Sequence, residues 1–290
     1  MPYGNPIELS VMALSVVPDK NYLETAELDY FLKSDAENRV VLHDFSAIES
    51  LAGNPIKNLG KSMGIVSRYP GQVLVLHNAS KLMMLGEIKP EYRFDMVEWG
   101  QTKAFEQYCA DIKKAEAGDL KYVEILGEHA KAAKEHLDKM LATVPLMAEL
   151  IDSLAKVTSV EAIKARRDKT GTAMPLRDGI AILQSIYAIA SAIAGRRTIA
   201  PTLPREPARA ARHYVFRFAI ALRLYALWWA EQGTALKDVK PTRLRNDFVD
   251  LMYVTCATYW DALFTNEEKM ALIYSETCYL AEDIFGKMEH

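Results

Sequence analysis

Cysteine is scarce: Cys109, Cys256 and Cys278 are the only three in 290 residues, odd in number, widely spaced and without a C-x-x-C pair. That excludes a disulfide framework and a zinc ribbon, and it fits a reducing, cytoplasmic setting. No G-x-S-x-G, Walker A or Rossmann glycine pattern occurs, so three common routes to hydrolysis and cofactor chemistry lack their sequence. His43, His77, His129, His136 and His213 are scattered and show no ligand spacing. Long apolar runs are equally rare. The N-terminal residues lack the basic start and extended apolar core expected of a signal peptide. The one charge-free run, Gly179 to Gly195, contains Gln184, Ser185 and Ser191 and reaches only the lower edge of membrane-spanning length. It is expected to be a buried core helix, with no stable membrane association.

What is present is apolar residue and unevenly placed charge. With 50% hydrophobic residues the chain can bury a sizeable core, in one large domain or two smaller ones, and disorder over most of it is excluded. The net charge of -3 conceals a basic segment, residues 164 to 223, in which twelve Lys or Arg face three acids. The rest of the chain is correspondingly acidic. An anionic partner would be drawn to the first and cations to the second. The alternative is that these charges solvate helix faces and pair within the fold.

Two regimes follow one another along the chain. "VMALSVV" (Val11 to Val17), "RVVLH" (Arg39 to His43) and "QVLVLH" (Gln72 to His77) are β-rich runs with helical patterns between them. Continuous apolar strands alternating with helices indicate a parallel sheet covered on both faces. One helix is expected over Glu24 to Lys33, another over "DFSAIESLAG" with Asp44 or Ser46 as cap, and a third from Pro55. Residues 91–239 are expected to be mainly helical. They contain a long helix, or a pair broken at Pro145, two loops rich in Arg, Thr and Pro, and an aromatic helix ended by Gly233. A helix from Asp247 to about Trp260, a short strand at Ala262 to Thr265 and a last helix from Asn266 or Glu267 complete the reading. The predicted fold class is α/β, a parallel sheet flanked by helices over residues 1–90 and 240–290, interrupted by the helical insertion 91–239.

Parallel sheets place ligands at the carboxyl ends of their strands, so the residues that follow each run carry the information. Asp19 and Asn21 follow the first strand, Asp44 and Glu49 the second, and Thr265, Asn266 and Glu267 the last. Asp247 and Asp250 stand at i and i+3, on nearly one helix face, where two carboxylates repel unless a cation neutralises them. Carboxylate oxygens are the donors preferred by Mg²⁺ and Mn²⁺. Each acid also has an ordinary alternative as a turn residue, an N-cap or a partner of the helix dipole.

Taken together, these residues resemble the PIN-domain nucleases. "VMALSVVPDKN" places Asp19 and Asn21 as in the D-x-N that follows that family's first strand, and "VVLHDFSAIESLAG" places Glu49 in the helix after the second. "DLMYVTCATYWDALFTNEE" resembles the family's D-x-x-h-x-x-x-A helix leading into a strand and T-x-D, with Asp250 at the opening and Thr265 and Glu267 at the close. Asn246-Asp247 resembles a variant opening, so either Asp is a principal ligand candidate. Lys20 in place of Thr or Ser, Glu267 in place of Asp, and the long interruption depart from the pattern.

The resemblance implies a three-layer PIN-like fold and metal-dependent hydrolysis of phosphodiesters, in RNA first. Asp19, Glu49, Asp247, Asp250 and Glu267 would serve as catalytic metal ligands for Mg²⁺ or Mn²⁺, with Asn21 and Thr265 orienting a water or a ligand carboxylate. Arg166, Arg167, Arg196, Arg197, Arg205, Arg209 and Arg212 would form a phosphate track for single-stranded RNA, and Tyr214, Phe216 and Trp228 would be available for base stacking. The competing account for Trp228 and Trp229 is a buried helix. The rival function is a catalytically inactive PIN-like module that binds nucleic acid or protein. Homo-oligomers or a regulatory partner would use the apolar helices.

Overall fold

Short β-branched runs build the centre of the molecule. In the computed structural model, which describes residues 13–167, 176–195, 202–233 and 238–287, strands β1 (Ser15–Pro18), β2 (Arg39–Leu42), β3 (Val73–Val75) and β4 (Ala262–Phe264) form one sheet in the order β3-β2-β1-β4. Every pairing is parallel, with Val16 opposite Val40 on one side and Ala262 on the other. The chain is thus an α/β protein with an all-parallel sheet. Of the expected first strand, Val11 and Met12 lie outside the described residues.

The helices are α1 (Ala26–Ser34), α2 (Asp44–Ser50), α3 (Pro55–Met63), α4 (Ala79–Leu82), α5 (Trp99–Glu116), α6 (Leu120–Lys156), α7 (Val160–Arg167), α8 (Leu176–Gly195), α9 (Pro207–Ala210), α10 (Tyr214–Gln232), α11 (Pro241–Ala257) and α12 (Glu268–Cys278). Local chemistry sets several of their ends. Asn54 caps α3 by accepting the Lys57 amide hydrogen, with Pro55 in the first position. Gly233, at φ 67°, closes α10 in the left-handed region. The cap of α2 is neither Asp44 nor Ser46: His43 precedes the helix, and its Nδ1 faces the Phe45 amide at 3.2 Å.

Strand alternation divides the interior into two cores. Val16, Val40, Leu42 and Val73 face one side, where α1, α3, α5 and the first half of α6 supply Leu28, Leu59, Phe105 and Leu126. Val17, Val41 and Leu74 face the other, against the second half of α6 and helices α8, α10, α11 and α12. Because α6 is anchored in both cores, it continues through Pro145. Proline there removes a backbone hydrogen bond and costs roughly 3 kcal/mol in a helix interior. Burial of Val144, Ile151 and Leu154 on the same helix offsets that loss.

The helical residues 91–239 therefore share their apolar core with the sheet. Helix α10 is buried from Tyr214 to Leu227 on all sides, as expected of a helix that is hydrophobic all round. Helix α8 lays Ile182, Ile186, Ile189 and Ala190 against this core while Ile180 stays exposed. Among the described residues, Arg177–Gly195 is the one helix long and apolar enough to cross a membrane. The expected stacking residues Tyr214 and Phe216 are fully buried, and Trp228 is half-buried.

Candidate functional site

The sheet order creates a switch point. Connections from β1 to β2 and β3 run one way, whereas β4 returns to the other side of β1. The crevice beyond the carboxyl ends of β1 and β4 is where such sheets hold ligands. A cavity of about 380 Å³ opens there, and Asp19, Glu49, Asp247, Asp250 and Glu267 all line it. Asn21, Lys20, Arg243 and Tyr253 complete its polar wall.

Asp19 follows Pro18 directly and is 4% exposed. Its backbone N–H donates to the Phe264 carbonyl at 2.9 Å, extending the β1–β4 ladder by one bond. Its Oδ1 accepts the Tyr22 amide hydrogen at 2.7 Å, and its Oδ2 accepts the Thr265 hydroxyl hydrogen at 2.5 Å. Thr265 thus fixes the orientation of the Asp19 carboxylate. Asn21 is exposed at the mouth.

Glu49 reaches the cavity from α2. The Tyr253 hydroxyl on α11 donates to its Oε2 at 3.1 Å. Burial pushes the Glu49 carboxyl above its ordinary range and nearby Asp19 adds to the shift, against the opposing effects of Tyr253 and Lys20.

Helix α11 begins at Pro241, six residues before Asp247, so Asp247 is not the cap of its helix. Instead it is 5% exposed in the second turn, where the Tyr225 hydroxyl donates to one carboxylate oxygen and the Lys269 ammonium to the other. Lys269 also donates to Asp250 Oδ2 at 3.0 Å. The repulsion expected between the two aspartates is thus answered by a lysine. Burial, together with Glu267 and Asp247, still raises the Asp250 carboxyl to about 7 despite Lys269. Burial alone would lower the Lys269 pKa, but Asp250 and Asp247 outweigh it and hold the pKa above the ordinary lysine value. Glu267 is exposed at the rim, its amide N–H donating to Thr265 Oγ1 at 3.0 Å.

The donor set suits a hard divalent cation, yet it is not assembled as a coordination shell. Among the described residues no three Asp, Glu, His or Cys side chains stand together as a metal-holding group. The physical reason is local satisfaction: Thr265 and the Tyr22 amide hold Asp19, Tyr253 holds Glu49, and Lys269 takes an oxygen from both Asp247 and Asp250.

The arginines are placed differently. Arg166 pairs with Glu231 and Glu276, and Arg167 Nε donates to the Glu231 carbonyl at 2.9 Å. Arg209 and Arg212 both pair with Glu87. Arg205 is exposed, and Arg196 and Arg197 lie outside the described residues. None of the described five lines the acidic cavity. Asp261 accepts the Ser15 amide hydrogen at 2.7 Å and pairs with Arg93, an architectural role at the start of β4.

Lys269, Tyr225, Tyr253 and Arg243 are site residues that sequence reasoning did not single out. Arg243 and Tyr253 had a signal available, since they lie within one turn of Asp247 and Asp250 on the same helix. No family model, curated protein or solved structure matches this chain.

Proposed function

We propose that the cavity at the carboxyl edge of the sheet is the active site of a metal-dependent nuclease acting on phosphodiester bonds, RNA first among its substrates. The observation that carries this reading is the meeting of Asp19, Glu49, Asp247, Asp250 and Glu267 at one polar cavity, although the first two precede the others by more than half of the chain. Their resemblance to the PIN-domain acids supports the same chemistry.

Asp19 and Glu49 on one wall and Asp247 or Asp250 on the other are the residues that would hold Mg²⁺ or Mn²⁺, with Glu267 at the rim. A divalent ion there supplies a water of lowered pKa and neutralises charge on the phosphate. The protein's own contribution is positioning. Thr265 and the Tyr22 amide fix the Asp19 carboxylate, Tyr253 fixes Glu49, and Tyr225 fixes Asp247, which is how supporting groups set ligand orientation. Lys20 and Arg243 offer the positive charge that a phosphate entering an acidic cavity requires.

Incubating the protein with labelled single-stranded RNA and DNA plus Mn²⁺, with and without chelator, tests this reading. Cleavage should need the metal and be lost in Asp19→Asn; equal cleavage by both proteins would rule out the site. One observation favours the second reading, a non-catalytic PIN-like binding module: Lys269 already neutralises Asp247 and Asp250. Metal-independent binding of the strand without cleavage would support that alternative.

A further inference from the structure

A second cavity, of about 600 Å³, adjoins the first. The carboxyl end of α10 contributes Trp228, Trp229 and Gln232 to it, and the segment entering α11 contributes Asp238, Lys240 and Arg243. Arg243 lines both cavities and is the residue they share. The two cavities thus meet at Arg243, in the first turn of α11.

The aromatic geometry in this cavity is fixed from beneath. The ring of Trp228 lies parallel to that of Tyr225, at 6.4 Å and 7°, and edge-on to Trp229 at 5.1 Å and 81°. Tyr225 in turn donates its hydroxyl to Asp247. The half-buried Trp228 is therefore held one ring away from an acid of the first cavity. Trp229 is 4% exposed and stands edge-on to Tyr225 at 6.1 Å and 86°, with its indole N–H beside the Tyr225 hydroxyl.

Charge points the same way. The Arg243 guanidinium carbon stands 5.3 Å from the Trp229 ring centroid. Among the described residues neither Arg243 nor Lys240 has a carboxylate within ion-pair distance, unlike Arg166 and Arg209. Two cations against Asp238 leave the cavity wall net positive, beside a neighbour that is acidic. A flat aromatic face next to cations that no carboxylate neutralises is the combination that binds a base and its phosphate.

We infer that this cavity is a stacking subsite for one nucleotide of a single-stranded nucleic acid whose adjacent phosphate enters the acidic cavity. The inference rests on the nuclease reading of that neighbour. Trp228 supplies the stacking face, and Lys240 and Arg243 hold the connecting phosphate. Specificity here comes from position along the strand and not from base identity, because every base offers a π-face.

Fluorescence anisotropy with labelled single-stranded RNA and DNA, in Ca²⁺ and at fixed salt, tests the subsite without turnover. Intact strands and strands containing abasic positions are compared for wild type, Trp228→Ala, Trp228→Phe and Arg243→Ala. Trp228→Ala should weaken binding of the intact strand about tenfold, the size of one base–aromatic stack, while Trp228→Phe retains most of the affinity. Wild type should prefer intact over abasic strands, and Trp228→Ala should lose that preference while keeping wild-type affinity for the abasic strand, a readout that loss of folding would not produce. Arg243→Ala should reduce the salt slope by about one. Equal affinity of wild type and Trp228→Ala for intact RNA and for intact DNA overturns the subsite, as does an unchanged preference for intact strands. If wild type cleaves RNA but fails this test, only the subsite falls. If the stacking signature appears without metal-dependent cleavage, only the nuclease reading falls.

Discussion

The acids at the sheet edge and the arginines of the helical layer are the two charged regions of this protein, and the fold treats them in opposite ways. Residues 19 and 49 are brought to residues 247, 250 and 267 by the return of β4 beside β1, so carboxylates distant in sequence share one cavity. The arginines fall within one segment of the sequence, yet Arg166 is drawn to Glu231 and Glu276 while Arg209 and Arg212 are drawn to Glu87. Topology concentrates charge where local composition does not. Concentrated carboxylates are costly without counter-charge, whereas dispersed pairs are self-sufficient.

Breaking that comparison at its strongest point means removing an acid that nothing else replaces. Asp19→Asn should lower metal-dependent RNA cleavage by on the order of 10²- to 10³-fold, the scale of several kcal/mol of charge stabilisation, measured as single-turnover rates. The next largest effect concerns Lys269. Its replacement by Met leaves Asp247 and Asp250 without their cation and should cost about 3–5 kcal/mol in the absence of metal, measured by urea denaturation. Added Mn²⁺ should restore more stability to Lys269→Met than it gives to wild type.

A third prediction leaves the cavity for the neighbouring buried pair. His43 Nδ1 stands 2.7 Å from Asp44 Oδ1. The Phe45 amide faces the same nitrogen at 3.2 Å, so a protonated Nδ1 serves the closer, charged partner. Burial opposes the imidazolium, but Cys256 and Asp44 outweigh it and raise His43 to about 10. Since the unfolded value is about 6.5, the stabilisation is fully present below that pH and is lost as pH rises towards 10. Denaturation midpoints should fall across this range in wild type and stay flatter in His43→Gln.

The smallest effect sharpens the other half of the comparison. Arg166→Ala breaks partly buried pairs to Glu231 and Glu276 and should cost roughly 1–2 kcal/mol of stability. Oligonucleotide affinity should stay within twofold. A tenfold loss of binding in this variant would show that the arginines act as a phosphate track after all.

Much of the fold could be read from the sequence because its first three strands are largely buried and therefore appear as uninterrupted β-rich runs. Pro145 left one long helix or a broken pair open, which α6 settles by running through it, whereas the stop at Gly233 carried an equally plain signal. The start of α11 did not: Asn246-Asp247 looks like a cap, whereas Pro241 is the first residue of the helix. That displacement changes Asp247 from a terminal acid into a buried one. Lys269 was also illegible. A lysine in the first turn of α12 reads as a solvated charge, and only the packing of α12 against α11 carries it onto Asp247 and Asp250. The glutamates that engage the arginines come from Glu87, Glu231 and Glu276, separations that charge counting along the chain does not register.

The most direct measurement of the central claim is calorimetric titration of Mn²⁺ into wild type, Asp19→Asn and Lys269→Met at neutral pH, without nucleic acid. The account predicts saturable binding to wild type, its loss in Asp19→Asn, and tighter binding in Lys269→Met, where the competing ammonium is gone. Absence of binding in wild type, or equal binding in wild type and Asp19→Asn, would contradict it.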